Sequence, residues 1–177
     1  MKIELYPLEK VTIDGVSIDL GMERPAVEAI LGRGEHVGER YYFYDSEMAI
    51  DCDQNGKVEF IEFLGGIDGS LHPFIYGVPA FEMPADELTA LLREKNRGEI
   101  DDSEEGYSYA FLNISVGVYR EIRPTDVAEM IEEMKADGID VEHNADLAAD
   151  IRRANHWATI GIGVSDYYRA IREWSEA

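Results

Sequence analysis

The sequence predicts an α+β fold in which an antiparallel sheet is packed by helices. Apolar residues alternate along segments that flank tight-turn pairs, which is typical of β-hairpins. In the segments that follow prolines, apolar residues recur instead with the i, i+3, i+4 spacing of an amphipathic helix. The chain has 177 residues, of which 45% are apolar, and this is enough to bury a core as one compact domain or two small ones.

The first predicted elements are a hairpin and a short helix. The pair Asp14-Gly15 separates two apolar segments, and it tolerates the positive φ angles that a type I′ turn needs. We predict a helix over residues 22–31, with Pro25 in its first turn and Gly32 as its left-handed stop. The apolar positions of this helix follow helical spacing: Val27, Ile30 and Leu31.

Residues 41–63 fit a second hairpin and also match the template of a calcium-binding loop. Asn55-Gly56 would form the turn of the hairpin. The template positions are matched by Asp51, Asp53, Asn55, Gly56 and Glu62. Calcium loops of this type lie between helices, whereas aromatic residues precede this segment and glycines follow it. The sequence therefore favours the hairpin, and it predicts no metal site.

The second half of the chain repeats the order of helix and sheet with looser spacing. Pro84 opens a helical segment that Gly98 is predicted to end. Its apolar residues have the spacing already seen in the first helix: Leu88, Leu91 and Leu92. An acidic loop follows, and residues 107–119 are predicted to form a strand. This repetition fits either a true duplication or two segments that are alike by coincidence.

We divide the chain into three segments within one expected compact domain. Residues 1–68 and 69–122 would be the two helix-plus-sheet units, and residues 123–177 would be a C-terminal extension. The extension opens with a predicted helix that carries an apolar stripe of Val127, Met130, Ile131 and Met134. The remaining elements are predicted in this order: a helix capped by Asn144, a strand over 157–164 and a closing helix over 167–174.

The segment from Ile18 to Gly32 resembles the opening of two families. Its Gly21-Met22, Val27 and Leu31-Gly32 are similar to the corresponding residues of small outer-membrane assembly lipoproteins and of beta-lactamase inhibitor proteins. The resemblance implies a short helix packed on an antiparallel sheet, a unit that the inhibitors contain twice. The chain lacks the signal peptide and the lipid-bearing cysteine of the lipoproteins, so no membrane role is implied.

The balance of charge restricts the expected partners. The 37 acidic and 16 basic residues give a formal net charge of −21, which opposes binding to DNA, RNA or anionic lipid. Any macromolecular partner is expected to be a basic protein. The longest stretch without a charged residue, Gly106–Tyr119, is shorter than the roughly 18 to 20 residues of a membrane span. With no signal peptide at its start, the protein is expected to be cytoplasmic.

No catalytic or cofactor-binding motif is found in the sequence. The four histidines show no metal-ligand spacing and no adjacent nucleophile signature. Cys52 shares the strand parity of apolar residues, which favours burial over reactivity. Gly161-x-Gly163 lacks the rest of a dinucleotide loop, so no cofactor is predicted. A site assembled in space from His72 or His156 and a carboxylate remains an alternative.

Acidic residues concentrate between residues 99 and 150, a segment that contains 15 acidic and three basic residues. Tyrosines flank this segment, and aromatic side chains beside acidic ones suit contact with a basic protein. We predict that partner binding involves Asp101, Asp102, Glu104, Glu105, Tyr107, Tyr109 and Tyr119.

These features favour a non-enzymatic binding protein. A small, acidic chain without catalytic motifs is similar in general character to the bacterial immunity proteins that neutralise polymorphic toxins. The leading hypothesis is therefore an immunity-type inhibitor of a toxin or enzyme. The alternatives are a small hydrolase or transferase with a spatially assembled His and carboxylate site, and a structural domain of unknown role.

Overall fold

The structure is a computed structural model that describes the backbone of residues 1–176 and the side chains of residues 1–173. Within this part of the chain, five α-helices accompany a five-stranded and an eight-stranded sheet. The predicted α+β class with packed helices is therefore confirmed. No helix in the described part is both long and apolar enough to cross a membrane.

The elements are numbered in chain order. The strands are β1 (Ile3–Tyr6), β2 (Lys10–Ile13), β3 (Val16–Asp19), β4 (Glu35–Val37), β5 (Arg40–Phe43), β6 (Met48–Cys52), β7 (Val58–Phe63), β8 (Pro73–Ile75), β9 (Val78–Pro79), β10 (Ile100–Asp101), β11 (Ser108–Phe111), β12 (Val116–Tyr119) and β13 (Thr159–Gly163). The helices are α1 (Arg24–Leu31), α2 (Ala85–Asn96), α3 (Pro124–Ala136), α4 (Ala145–Ala154) and α5 (Tyr167–Glu176).

The smaller sheet has the strand order β3-β2-β1-β8-β9. Its β2–β3 hairpin confirms the first predicted turn, in which Asp14 and Gly15 both have positive φ angles of 48° and 84°. Strand β1 pairs in parallel with β8, which joins the start of the chain to residues that follow the second hairpin. This sheet thus combines strands from both predicted units. Duplication and coincidence both stay as interpretations of the likeness between those units.

The larger sheet has the strand order β10-β11-β12-β13-β7-β6-β5-β4, and every neighbouring pair in it is antiparallel. Strand β13, from the last third of the chain, lies between the β6–β7 and β11–β12 hairpins. The β6–β7 hairpin confirms the predicted turn at Asn55-Gly56, in which Gly56 has a φ of 75°.

The prediction of one continuous strand over residues 107–119 is wrong, because the chain reverses between β11 and β12. Ser115 in this turn has a φ of 50°, which a strand does not accommodate. The Asn96 side chain at the end of α2 accepts hydrogen bonds from the backbone N–H groups of Asn113 and Ile114, at 2.8 and 3.2 Å. The helix end therefore holds the turn in place.

The two faces of the larger sheet differ sharply in chemistry. The core face is apolar and packs with α2 and the smaller sheet into one buried cluster. It includes Ile50, Ile61, Phe63, Phe111, Ile160 and Ile162. The opposite face, which we call the outer face, carries polar and small residues. Across neighbouring strands the register aligns Asp101, Ala110, Gly117, Gly161 and Glu62 in one row.

Helices α1 and α2 form where predicted, but their ends and faces differ in detail. Gly32 ends α1 with a φ of 83°, as expected, whereas Ile30 is 40% exposed and lies off the buried stripe. Arg97, with a φ of 47°, supplies the left-handed residue after α2. Gly98 is required for a different reason, because a Cβ there would collide with the Asn113 side chain.

Helices α3 and α4 pack mainly against each other. The predicted stripe of α3 joins Leu147 and Ala154 of α4 in a small apolar cluster separate from the main core. As predicted, the Asn144 side chain caps α4 by accepting a hydrogen bond from the Leu147 N–H at 3.0 Å.

Helix α5 confirms the predicted closing helix and lies on the outer face. The glycines of β12 and β13 make this contact possible, because a Cβ at Gly117 would collide with Tyr168 and one at Gly163 with Tyr167. The Phe60 ring occupies the space above Gly161 in the same way and stacks on Tyr167 at 4.5 Å between centroids. Because Gly161 and Gly163 of β13 have no side chains, they leave the space in which Phe60 and Tyr167 pack.

Candidate functional site

The four acidic residues predicted to contact a partner lie in the β10–β11 hairpin. Asp101 ends β10, and its carboxylate accepts a hydrogen bond from the Ser103 N–H at 3.1 Å. Asp102, Glu104 and Glu105 follow in the connecting turn, with their side chains exposed. Among the described residues, none of the four forms a salt bridge. No cation in the described part of the chain therefore neutralises their charge.

Tyr107 is half-buried and held by the start of α3. The Arg123 guanidinium lies over its ring, 4.2 Å from the centroid, and Arg123 also pairs with Asp126 at 2.7 Å. A hydrogen bond to Asp126, together with partial burial, raises the pKa of the Tyr107 hydroxyl. Tyr107 thus stabilises the helix start.

Tyr109 and Tyr119 lie on opposite faces of the larger sheet. The register pairs Tyr109 with Val118 and Ser108 with Tyr119. Tyr109 faces the core, edge-on to Trp157 at 5.7 Å and under Arg93 at 5.6 Å. Tyr119 lies on the outer face and is 40% exposed. Of the three predicted tyrosines, Tyr119 is the most exposed.

A groove of about 510 Å³ runs along the outer face between the acidic hairpin and α5. We call it the outer-face groove. Its lining includes Asp101, Glu104, Ser108, Tyr119, Thr159 and Tyr168. Four of the predicted residues line the groove, namely Asp101, Glu104, Tyr109 and Tyr119, although the Tyr109 ring packs against Trp157 on the core face. Ser108, Thr159 and Tyr168 were not predicted, because their proximity depends on the pairing of β12 with β13 and on the docking of α5.

The far end of the groove is closed by a charged triad. Arg40 of β5 lies 2.7 Å from both Asp51 of β6 and Glu62 of β7. Burial lowers the pKa of Arg40, but the hydrogen bonds and charges of Glu62 and Asp51 outweigh it and raise the pKa above its usual range. Asp51 and Glu62, which are two positions of the calcium-loop template, thus form salt bridges with Arg40. No group of three or more potential metal-ligating His, Cys, Asp or Glu side chains occurs in the described part of the chain.

The histidines lie away from the groove. His72 pairs with Glu82 at 2.5 Å, and the His156 ring contacts the Arg152 carbonyl beside a separate cleft of about 380 Å³. Cys52 is half-buried, and burial raises the pKa of its thiol, which disfavours the nucleophilic thiolate. The structure therefore brings no histidine or thiol to the predicted contact residues.

The pair Arg123 and Asp126 predicts a pH-dependent stability. Hydrogen bonds from the Arg123 side chain and backbone hold the pKa of Asp126 well below its usual range. Such a carboxyl stabilises the fold above the unfolded-state pKa of about 3.9, and this contribution is lost as the pH falls through the lower, folded-state pKa. We expect Asp126→Asn to lower the urea midpoint at pH 7, and the difference from wild type to shrink toward pH 2. Glu129→Gln, on the exposed side of α3, is the control. A difference that does not change with pH would contradict the assignment.

The residues of the outer-face groove and the acidic hairpin form the candidate functional site. The site combines hairpin carboxylates that have no cation partner among the described residues, the exposed Tyr119 and the small residues Ala110 and Gly117. No protein-family model matches the chain, and no curated protein or solved structure matches it.

Proposed function

We propose that the protein is a non-enzymatic binding protein that captures a basic protein partner through its acidic hairpin and Tyr119. In this proposal it acts in the cytoplasm as an immunity-type inhibitor and occludes a toxin or enzyme. The observation that carries the proposal is the set of four carboxylates in residues 101–105 without cation partners among the described residues. They lie beside the exposed ring of Tyr119, so one surface carries both the negative charge and an aromatic contact area.

The carboxylates would act mainly before contact is made. The net charge of −21 produces a field that attracts a basic protein over a distance comparable to the Debye length, about 8 Å at physiological salt. Such steering raises the association rate more than it slows dissociation. Tyr119 would act after contact, because an aromatic ring desolvated in an interface contributes at short range.

The test is partner capture followed by binding kinetics. A variant that combines Asp101→Asn, Asp102→Asn, Glu104→Gln and Glu105→Gln should associate about tenfold more slowly at low salt, with less change in dissociation. The matched control neutralises four exposed acids of the α3 segment: Glu129, Glu132, Glu133 and Asp137. This control changes the net charge by the same amount as the hairpin variant. It should slow association much less than the hairpin variant does if the hairpin faces the partner.

Two outcomes would count against this function. Equal slowing in both quadruple variants would mean that the hairpin is not the contact surface. Recovery of small-molecule turnover that is lost in His72→Ala or His156→Ala would favour the hydrolase or transferase alternative.

A further inference from the structure

Tyr119 differs from the other strand tyrosines of the larger sheet because no arginine covers its ring. Arg24 lies 5.1 Å from the ring centroid of Tyr41, Arg40 lies 6.0 Å from that of Tyr42, and Arg93 lies 5.6 Å from that of Tyr109. For Tyr119 no such cation occurs among the described residues. Its exposed ring is thus a cation–π acceptor without a cation.

The carboxylates around the groove show the same contrast. At one end, Asp51 and Glu62 both bind Arg40. Glu99 binds Arg169 and Arg172 of α5, at 3.3 and 2.6 Å, and Arg172 lines the groove. Asp101 and Glu104 line the groove and, in the described part of the chain, pair with no arginine or lysine. The protein binds guanidinium groups with its other groove carboxylates and leaves these two available.

A row of hydroxyl groups completes the surface beside them. Ser108, Tyr119 and Thr159 are aligned across β11, β12 and β13 on the outer face. Among the described residues, none of these three hydroxyls has a hydrogen-bond partner. They can accept hydrogen bonds from a donor that enters the groove.

We propose that the outer-face groove binds an arginine side chain of the basic partner, with its guanidinium over the Tyr119 ring and its N–H groups donating to Asp101 and Glu104. This inference rests on the proposed function and specifies the chemistry of its contact. The Arg123, Tyr107 and Asp126 cluster has the same components within the chain, with the guanidinium 4.2 Å from the ring centroid and 2.7 Å from the carboxylate. The planar, forked guanidinium suits stacking and bidentate pairing at once, which the ammonium of lysine does not.

Charge complementarity selects this occupant over others. An anionic ligand would be repelled by Asp101 and Glu104, and the arginines that line the described groove, Arg40 and Arg172, already pair with carboxylates. An apolar segment would leave Asp101 and Glu104 desolvated without a partner. An arginine supplies five N–H donors, enough for both carboxylates and for the neighbouring hydroxyls. The groove volume of about 510 Å³ lies within the range of clefts that hold small groups, about 300 to 1,000 Å³.

The experiment is an NMR titration of the full chain with the peptide acetyl-Gly-Arg-Gly-amide. Parallel titrations use the peptides in which citrulline or lysine replaces arginine. The arginine peptide should shift the amide signals of Gly117, Tyr119 and Thr159 in a saturable way. The citrulline peptide, which lacks the charge, should leave them unmoved, and the lysine peptide should bind at least threefold more weakly.

Variants separate the roles of the ring and the carboxylates. Tyr119→Ala should weaken binding of the arginine peptide about threefold, whereas Tyr119→Phe should retain it. Asp101→Asn combined with Glu104→Gln should abolish the saturable shifts. The matched control, Glu129→Gln with Glu132→Gln, removes the same charge from exposed positions of α3 and should leave the affinity within twofold.

The outcomes distinguish this inference from the proposed function. Equal binding of the arginine and citrulline peptides, or shifts outside the groove, would overturn the arginine site. If the captured partner still associates through the hairpin but the arginine peptide neither binds nor competes, the arginine site fails while the proposed function stands. If the peptide binds as expected but no basic partner depends on the hairpin, the proposed function fails.

Discussion

Replacing Trp157 with alanine is expected to destabilise the protein by about 3 to 5 kcal/mol, as for other large aromatic residues in closely packed cores. Trp157 is 1% exposed. Its indole N–H donates to the Ala85 carbonyl at 3.1 Å, and the Arg120 guanidinium lies 4.7 Å from its ring. The indole therefore connects the start of α2 to the segment that leads from β12 into α3.

Chemical denaturation of further variants can separate the contributions of ring packing and of the indole hydrogen bond to the stability lost in Trp157→Ala. Trp157→Phe keeps an aromatic ring but removes the indole N–H, so it should cost less than the alanine change, with about 1 kcal/mol from the lost hydrogen bond. Arg120 would lose its aromatic contact in Trp157→Ala, while its hydrogen bonds to the Gly106 and Ala154 carbonyls would remain. Ile139→Ala, at an exposed position, is the control and should change stability by less than about 0.5 kcal/mol. A loss below 1 kcal/mol in Trp157→Ala would contradict the packing of the core around this ring.

Replacing Arg40 with methionine is expected to cost about 2 to 3 kcal/mol, below the 3 to 5 kcal/mol of fully buried pairs because the triad retains some solvent contact. The side chains of Arg40, Asp51 and Glu62 are 28%, 19% and 17% exposed. Without the guanidinium, two carboxylates on neighbouring strands would face each other with no cation between them. The loss should therefore come from uncompensated negative charge as well as from the missing hydrogen bonds.

The stability of a triple variant tests this explanation of the Arg40 effect. Adding Asp51→Asn and Glu62→Gln to Arg40→Met should recover part of the stability, because the uncompensated charges are then removed. Lys135→Met, which breaks an exposed pair with Glu132, serves as control and should cost less than about 1 kcal/mol. If the triple variant is no more stable than Arg40→Met, repulsion between the carboxylates is not the cause.

The placement of the tyrosines shows where a period-two pattern is insufficient. Tyr109 and Tyr119 have the same parity in sequence, so on one continuous strand they would share a face. The reversal between β11 and β12 breaks that relation, since the register pairs Tyr109 with Val118 rather than with Tyr119. One tyrosine consequently packs in the core and the other lies at the surface. The turn depends on Asn96, whose side chain accepts hydrogen bonds from Asn113 and Ile114, and no local pattern around residue 112 predicts that contact.

The sequence by itself determined several turns, helix ends and caps as well as the overall charge, because these depend on neighbouring residues or on simple counting. The Asp14-Gly15 turn, the Gly32 stop and the Asn144 cap all form as predicted, since each depends on the backbone preferences or hydrogen bonds of a few adjacent residues. Only the tertiary structure decided that β13 lies between two distant hairpins, that Arg40 joins Asp51 and Glu62, and that α5 packs over glycines to border the groove. The physical reason is that strand order and side-chain clusters arise from contacts between residues far apart in the chain, which local periodicity does not encode.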